Sequence, residues 1–387
     1  MESGFDIESL QERGVIERSE EKEHLARALA SGSQRIKFGI DPTAAELHLG
    51  HVVIFRLLKK LQEAGHVIVL IIGDFTAQIG DPSGRSETRK MLTEKEVKAN
   101  EKHYLKQAGR FVDVKKAEIR HNSEWLKKGG AKLLMELMSL ASLQQVLERQ
   151  DFKKRIAGGK ELTLLEAFYP VLQGYDSVAT KADVEIGGTD QEFNLLMGRR
   201  MQRKFGVKEQ DIFTVKLLVG TDGVKKMSKS FGNFIGIEEA PDEMFGKIMS
   251  VSDKLMWNFY FPLLTDVSEV KYDTTRPLEA KLHLAHEVVA QCHGEAKAKK
   301  AEARFVKTFL EKDLSNAQKY VIPRGRILSV TIMTPLRFAP SRSEARRLIE
   351  QGAVDFDGET IRDPNFKIEK SGILRVGKKH FVKLELQ

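Results

Sequence analysis

A chain of 387 residues, 41% hydrophobic and 30% charged, is too long for one ordinary core and too apolar for a disordered tract, so it reads as two or three globular domains. Its longest apolar run, Val67–Ile72, is far short of the ~20 residues a bilayer span needs, and a single cysteine, Cys292, excludes an internal disulfide and a multi-cysteine zinc site. A formal net charge of +8 permits a polyanionic partner without requiring one.

Residues 1–4 show no basic stretch leading into an apolar core, so the expectation is no secretory signal, no membrane and a cytoplasmic location. From about 35 to 235, apolar runs alternate with helical periods, the pattern of a parallel sheet wrapped in helices. Residues 36–40 read as a strand and Leu49–Glu63 as an amphipathic helix stopped by Gly65. Asp41, Pro42 and Thr43 therefore lead from a strand's carboxyl end towards a helix N-terminus, where ligands bind in open α/β sheets and free N–H groups favour phosphate. His48 and His51 lie three apart, on one face of the first turn, and Gly50 between them leaves room for a flat base against the backbone. A pair of unattached histidines or part of a metal site is the alternative. No third ligand lies nearby, so no metal is expected.

Val67–Ile72 reads as a buried strand. Residues 85–181 are mostly helical and interrupt the alternation, as an inserted subdomain would. Inside this segment Tyr169, Gln173 and Asp176 stand at i, i+4 and i+7, so one helix face presents a phenol, an amide and a carboxylate. That spacing alone also fits a polar face turned to water. After a strand at 184–186 come Gly187 and Gly188, which permit close approach by a ligand, then Asp190, able to hold a ribose hydroxyl pair; a plain turn is the alternative. A strand at 213–219 delivers the chain to Lys226-Met227-Ser228-Lys229-Ser230, a loop bracketed by Gly223 and Gly232. Its lysines would neutralise charge on the β- and γ-phosphates as pyrophosphate departs. No Gly-x-x-x-x-Gly-Lys-Ser/Thr string occurs, so the nucleotide site is not of the Walker type.

Residues 241–318 read as helical. Lys297, Lys299, Lys300, Arg304 and Lys307 cluster there, either as a solvated face or as an RNA contact. Beyond 332 come a helix over 341–351 with Gly352 as its stop, a strand at 353–356, and Asp357-Gly358, a strong hairpin signal. Ser341 or Ser343 can cap the helix, and Arg342 and Arg346, four apart, share one face.

The histidine and lysine strings together resemble the two signature sequences of class I aminoacyl-tRNA synthetases. With Phe38-Gly39-Ile40-Asp41-Pro42-Thr43, Ile79-Gly80-Asp81-Pro82-Ser83-Gly84 and the Tyr169, Gln173, Asp176 triplet, most of the chain is similar to bacterial tyrosyl-tRNA synthetases. The resemblance implies an α/β fold in three parts. These are a Rossmann-like parallel-sheet catalytic domain (1–235) with the helical insertion at about 85–181, an α-helical anticodon-recognition domain and linker (236–330), and a small S4-like α+β RNA-binding domain (331–387). It implies activation of L-tyrosine with ATP, Mg²⁺ riding on the phosphates, to tyrosyl-adenylate and pyrophosphate, then transfer to the 3' end of tRNA(Tyr); no zinc is implied.

Carried over residue by residue, the resemblance makes Thr43, His48, His51, Lys226 and Lys229 catalytic. Asp41, Gly50, Gly188, Asp190, Lys229 and Ser230 would hold ATP. Gly39, Asp81, Tyr169, Gln173, Asp176 and Gln191 would line the tyrosine site. There Asp176 would accept the phenol's proton, Tyr169, Gln173 and Asp81 would hold the ammonium, and Gln191 would lie near the carboxylate. Arg342, Arg346 and Arg347 would contact RNA, and the inserted region would join a homodimer. One position departs: some family members carry, just before the position of Phe38, a tyrosine that helps bind the substrate hydroxyl, and this chain has Lys37. The competing expectations are a tryptophan–tRNA ligase of the same subclass and a non-catalytic RNA-binding protein on the same fold. Asp176 and the S4-like tail weigh against the first, and the intact histidines and lysines against the second.

Overall fold

Apolar runs and their polar neighbours build a six-stranded sheet from Ile16–Ser19 (β1), Arg35–Ile40 (β2), Val67–Ile72 (β3), Glu118–His121 (β4), Val184–Gly188 (β5) and Asp211–Val215 (β6). The computed structural model describes residues 7–19, 22–43, 46–83, 91–266, 274–310, 319–328, 332–336, 338–377 and 380–387. These fall into two compact units, Met1–Lys299 and Lys300–Gln387.

In the first unit the strand order is β1-β6-β5-β2-β3-β4. β2 to β6 pair in parallel, and β1 closes one edge antiparallel to β6. The chain thus builds outward from β2 to β4, returns to the middle, and builds outward again to β6. β5 and β6 are buried throughout, and β3 beyond its first residue, as expected of strands covered on both faces. The reversal of winding falls between β2 and β5, so their carboxyl ends open the crevice in which such sheets bind ligands.

Local signals decided much of this. The helix Leu49–Glu63 and strand Val67–Ile72 have the bounds that their hydrophobic periods predict. Three differences have physical causes. β4, inside the mostly helical segment after residue 85, is a strand of the main sheet; its Glu-Ile-Arg-His sequence is half-exposed at every position, so no apolar run marks it. β1, at the opposite edge, is equally short. The strand expected at 213–219 ends at Val215. Leu217 and Leu218 leave the sheet to line the cleft, and Val219 instead bridges Lys226 at the base of the lysine loop. The helix Pro277–His293 belongs to the first unit, where Arg56 of the helix Leu49–Glu63 pairs with its Glu287 at 3.6 Å and with Asp266 at 2.9 Å.

The second unit carries a five-stranded sheet, formed by Lys319–Ile322 (β7), Val354–Phe356 (β9), Glu359–Ile361 (β10), Gly372–Val376 (β12) and His380–Leu386 (β13), in the order β10-β9-β12-β13-β7. Arg326–Ile327 (β8) and Lys367–Ile368 (β11) make a separate two-stranded ladder. The β9–β10 hairpin turns at Asp357 (φ 52°) and Gly358 (φ 86°), left-handed at both positions, as a two-residue turn requires. Ala345 and Ile349 of the helix Arg342–Glu350 join Leu328, Val354, Leu374 and Leu384 in this unit's core.

Candidate active site

A cleft of about 1120 Å³ lies over the carboxyl ends of β2 and β5. Gly39, Asp41, Thr43, His48, Gly50, His51, Asp81, Tyr169, Gln173, Asp176, Gly188, Asp190, Gln191, Lys226 and Ser230 all border it. Residues nominated from segments 190 positions apart therefore share one cavity.

At its nucleotide end, His48 is the extended N-cap of the helix Leu49–Glu63 (φ −133°, ψ 172°). The Gly50 N–H donates to His48 Nδ1, and the His48 N–H donates to His51 Nδ1, both at 3.2 Å. With each Nδ1 accepting, each neutral ring carries its proton on Nε2. Burial, followed by the neighbouring His51, Lys229 and Lys226, drives His48 well below the usual imidazole range, and burial takes His51 down to about 4. Both rings are therefore neutral N–H donors at pH 7. Packing at Gly50 is tight: a Cβ there would stand 3.0 Å from the His48 ring and 4.0 Å from the Met227 Cβ.

The two signatures are tied together by backbone. Leu49 N–H donates to the Ile235 carbonyl at 3.0 Å and Ile237 N–H to the Leu47 carbonyl at 3.1 Å, so the segment after the lysine loop runs along the helix entry. Asn233 fastens the loop itself, accepting from Ser228 N–H at 2.9 Å and donating to Asp222 at 2.9 Å. Lys226 Nζ pairs with Asp190 at 2.5 Å. Lys229 Nζ pairs with Glu46 at 2.7 Å and does not border the cleft, because that carboxylate draws it aside. Gly187 and Gly188 line the cleft and also make room for neighbouring side chains. A Cβ on Gly188 would stand 2.7 Å from Leu217 and 2.9 Å from the Asp190 carboxylate, and one on Gly187 2.9 Å from Gln191.

The opposite end is built of carboxylates, with Asp176 buried and Asp41 and Asp81 half-buried. Thr163 and Glu166 form a capping box that starts the helix Leu164–Thr180, and this helix presents Tyr169, Gln173 and Asp176. Asp176 is 3% exposed and accepts from Trp125 Nε1 at 2.8 Å. Asn122 donates to Thr76 Oγ1 at 2.8 Å and approaches Asp176 at 3.5 Å. Asp41, expected at the nucleotide, instead accepts from the Tyr169 hydroxyl at 2.9 Å and from Thr76 Oγ1 at 2.8 Å. The reason is placement: Asp41 ends β2, beside β3 and its following loop, where Thr76 stands. Gln191 donates to Asp81 at 2.6 Å, and Asn194 donates to the oxygens of both Gln191 and Gln173 at 2.9 Å. Burial raises both Asp41 and Asp176 to about 7, and holds the Tyr169 phenol well above its ordinary value. Among the described residues, no group of three or more histidines, cysteines and carboxylates is arranged to hold a metal.

A model of the family described as tRNA synthetases class I (W and Y) matches residues 30–310, and one of the S4 domain matches residues 330–373. The chain belongs to the class I tRNA synthetases of the tryptophan and tyrosine group. It is 44% identical over 383 residues to a tyrosine–tRNA ligase of Thermotoga maritima, covering 96% of this chain and 95% of that one. It is also 44% identical over 378 residues to a tyrosine–tRNA ligase of Aquifex aeolicus, covering 96% of each. Among solved structures, a C-terminally truncated mitochondrial tyrosyl-tRNA synthetase of Coccidioides posadasii superposes with a TM-score of 0.63 at 22% identity, over 78% of this chain and 93% of that one. The tryptophanyl-tRNA synthetase of Plasmodium falciparum gives 0.57 at 14% identity, over 76% and 84%. These two show a shared fold.

In this synthetase, sequence reasoning missed Thr76, Asn122, Trp125, Asn194 and Asn233. Asn122 directly follows β4, so the rule that ligands gather at strand carboxyl ends would have found it had β4 been legible. In the second unit, Ser341 caps the helix by accepting from Glu344 N–H at 3.2 Å. Arg342 and Arg346 are exposed on it, and Arg347 is bound to Glu344 through two bonds of 2.9 and 2.5 Å.

Proposed function

We infer that this class I synthetase is a tyrosine–tRNA ligase whose cleft forms tyrosyl-adenylate before charging tRNA(Tyr). The observation that carries the reading is Asp176: a buried carboxylate on the helix Leu164–Thr180, held by the Trp125 indole N–H and bordering the cleft, gives a phenolic hydroxyl a charged acceptor. The carboxylates of Asp41 and Asp81, with Tyr169 and Gln173, suit the substrate's ammonium. Relatives sharing 43–44% of their residues over nearly the whole chain bear the same activity in their names.

The tyrosine carboxylate is ionised at neutral pH, so it attacks the α-phosphorus without a general base. Catalysis is then positioning and charge stabilisation. His48 and His51 donate from Nε2, the backbone N–H groups of the helix start add their dipole, and Thr43 and Ser230 border the phosphates. ATP arrives as its Mg²⁺ complex, the cation belonging to the substrate. As it enters, Lys226 and Lys229 exchange Asp190 and Glu46 for phosphate oxygens, which releases Asp190 to the ribose.

In this reading residues 236–330 serve anticodon recognition and 331–387 bind RNA through Arg342 and Arg346. A homodimer forms through the inserted region, where Met135, Met138, Leu143, Ile156 and Leu164 are exposed large apolar residues. The cytosol, where tRNA is charged, is its compartment. Pyrophosphate exchange into ATP tests the reading. Tyrosine should support it and tryptophan should not, whereas exchange with tryptophan alone, or with no amino acid, rules the reading out.

A further inference from the structure

Lys37 is wholly buried in β2, between the apolar residues Ile36 and Phe38. Its Nζ lies 2.8 Å from Glu185 Oε1 and donates to Ser177 Oγ at 2.8 Å and to the Gln173 carbonyl at 3.2 Å. Lys37 and Glu185 are direct neighbours in the β2–β5 register. Glu185, 1% exposed, is completed by the Ser177 hydroxyl at 3.1 Å and by the Gln210 amide. An apolar pair of similar volume would be at least as stable at such a position, so the ions call for another reason.

The contacts supply one. The ammonium is pinned against residues 173–177 of the pocket helix, the turn that carries Asp176 and Gln173. The groups facing Asp176 come from every side: Trp125 and Asn122 from the segment after β4, Lys37 from β2, Glu185 from β5, Asp41 from the end of β2 and Tyr169 from its own helix. Two, Glu185 and Asp41, are carboxylates that oppose a negative charge on Asp176. Lys37 is the cation among them, and after burial its charge is the largest influence on that carboxyl.

We propose that Lys37, held by Glu185 and Ser177, is the positioning residue of the tyrosine pocket: its fixed cation keeps Asp176 an anion able to accept the substrate's phenolic hydroxyl, and so sets the selection of tyrosine over phenylalanine. The proposal rests on the reading of Asp176 as the phenol acceptor.

The test uses the full-length chain with Lys37→Met, Glu185→Gln, the double variant and Asp176→Asn. Pyrophosphate exchange is followed with tyrosine and with phenylalanine from pH 5.5 to 8.5. Lys37→Met should raise the KM for tyrosine about fivefold at pH 7 with kcat little changed, move the acid limb of that KM profile up by about one pH unit, and lower the tyrosine-to-phenylalanine ratio. Glu185→Gln leaves the cation uncompensated and should move the limb down; Gln210, whose side-chain oxygen is buried without a partner, can turn to accept from the new amide. The double variant should fall between them. Shifts of opposite sign are not what a merely structural pair produces. Equal shifts, or none, in folded variants overturn the proposal, and Glu185→Gln alone decides it if Lys37→Met does not fold. If Asp176→Asn abolishes selectivity while Lys37→Met leaves it intact, the Lys37 role alone fails. If Asp176→Asn also leaves it intact, the phenol-acceptor reading fails first.

Discussion

The two ends of the cleft solve opposite problems with charge. At the tyrosine end, Asp176 and the Lys37–Glu185 pair are buried on strands and one helix, Asp41 is half-buried at the end of β2, and all are bonded to neighbours. At the nucleotide end the lysines are about one-third exposed, sit on a loop, and lean on the carboxylates of Asp190 and Glu46, while the histidines are neutral. Fixed, desolvated charge recognises a ground state with precision. Charge that can change partners follows a phosphate through the transition state. The contrast predicts that lesions at one end fall on KM for tyrosine and at the other on kcat.

The largest effect belongs to Asp176. Asp176→Asn replaces a charged acceptor that Trp125 and Asn122 already position, and should raise the KM for tyrosine by about two to three orders of magnitude while changing the KM for ATP little. Comparable losses for both substrates would dissolve the distinction between the ends.

Next in size is the histidine lesion. His48→Asp keeps an N-cap acceptor for Gly50 N–H but places an anion against the phosphates, so kcat for exchange should fall about a hundredfold or more with melting temperature preserved. His48→Ala should lose less rate but about 1 kcal/mol of stability through the missing cap. If both variants bind tyrosine near-normally by equilibrium dialysis, the division stands. A parallel loss of tyrosine affinity would break it.

The pH dependence separates the ends without mutation. Asp176 and Asp41, raised to about 7 by burial, must be ionised to take the phenol and the ammonium. Tyrosine KM should therefore rise about fivefold per group as pH falls from 7 to 6. His51, at about 4, and His48, lower than usual, stay neutral across that window, so kcat at saturating tyrosine should stay flat. The same shift has a stability sign. A carboxyl raised in the folded state contributes most below its unfolded value near 4 and loses that contribution as pH rises through about 7. Asp176→Asn should therefore gain roughly a few degrees of Tm relative to the parent between pH 5 and 8 in the absence of tyrosine. A constant offset would mean that Asp176 titrates normally.

How much of this was readable in the chain follows from distance along it. The helix Leu49–Glu63 with its two histidines, the strand Val67–Ile72 and the Asp357-Gly358 turn are set by periods and residue types within a few positions. Tyr169, Gln173 and Asp176 were legible as one helix face. Their partners were not. Trp125 reaches Asp176 across 51 residues and Lys37 meets Glu185 across 148, both through a strand order that no local pattern encodes. The bond from Tyr169 to Asp41 spans 128 residues and likewise follows from how β2 and the pocket helix converge. The edge strands β1 and β4 escaped for the opposite reason: each is four residues long, and edges carry no apolar run.

The smallest predicted effects extend the contrast between held and free charge to the second unit. Ala345 and Ile349 are buried, whereas Arg342 and Arg346, one turn apart on the helix Arg342–Glu350, are exposed. Arg347 shares that exposure but is held by Glu344, an exposed pair that salt screens and that contributes little by itself. A phosphate can therefore draw on Arg342 and Arg346 directly, and on Arg347 after displacing Glu344. Alanine at 342 or 346 should raise the KM for tRNA in aminoacylation by about three- to tenfold each and lower its salt dependence, with tyrosine-dependent pyrophosphate exchange unchanged. Alanine at 347 should cost less than either. Glu344→Ala, which releases Arg347, should tighten tRNA binding slightly, provided the circular dichroism shows the helix intact. Exchange falling together with charging in a folded Arg346→Ala variant would mean that this helix acts on the catalytic cleft and not on RNA.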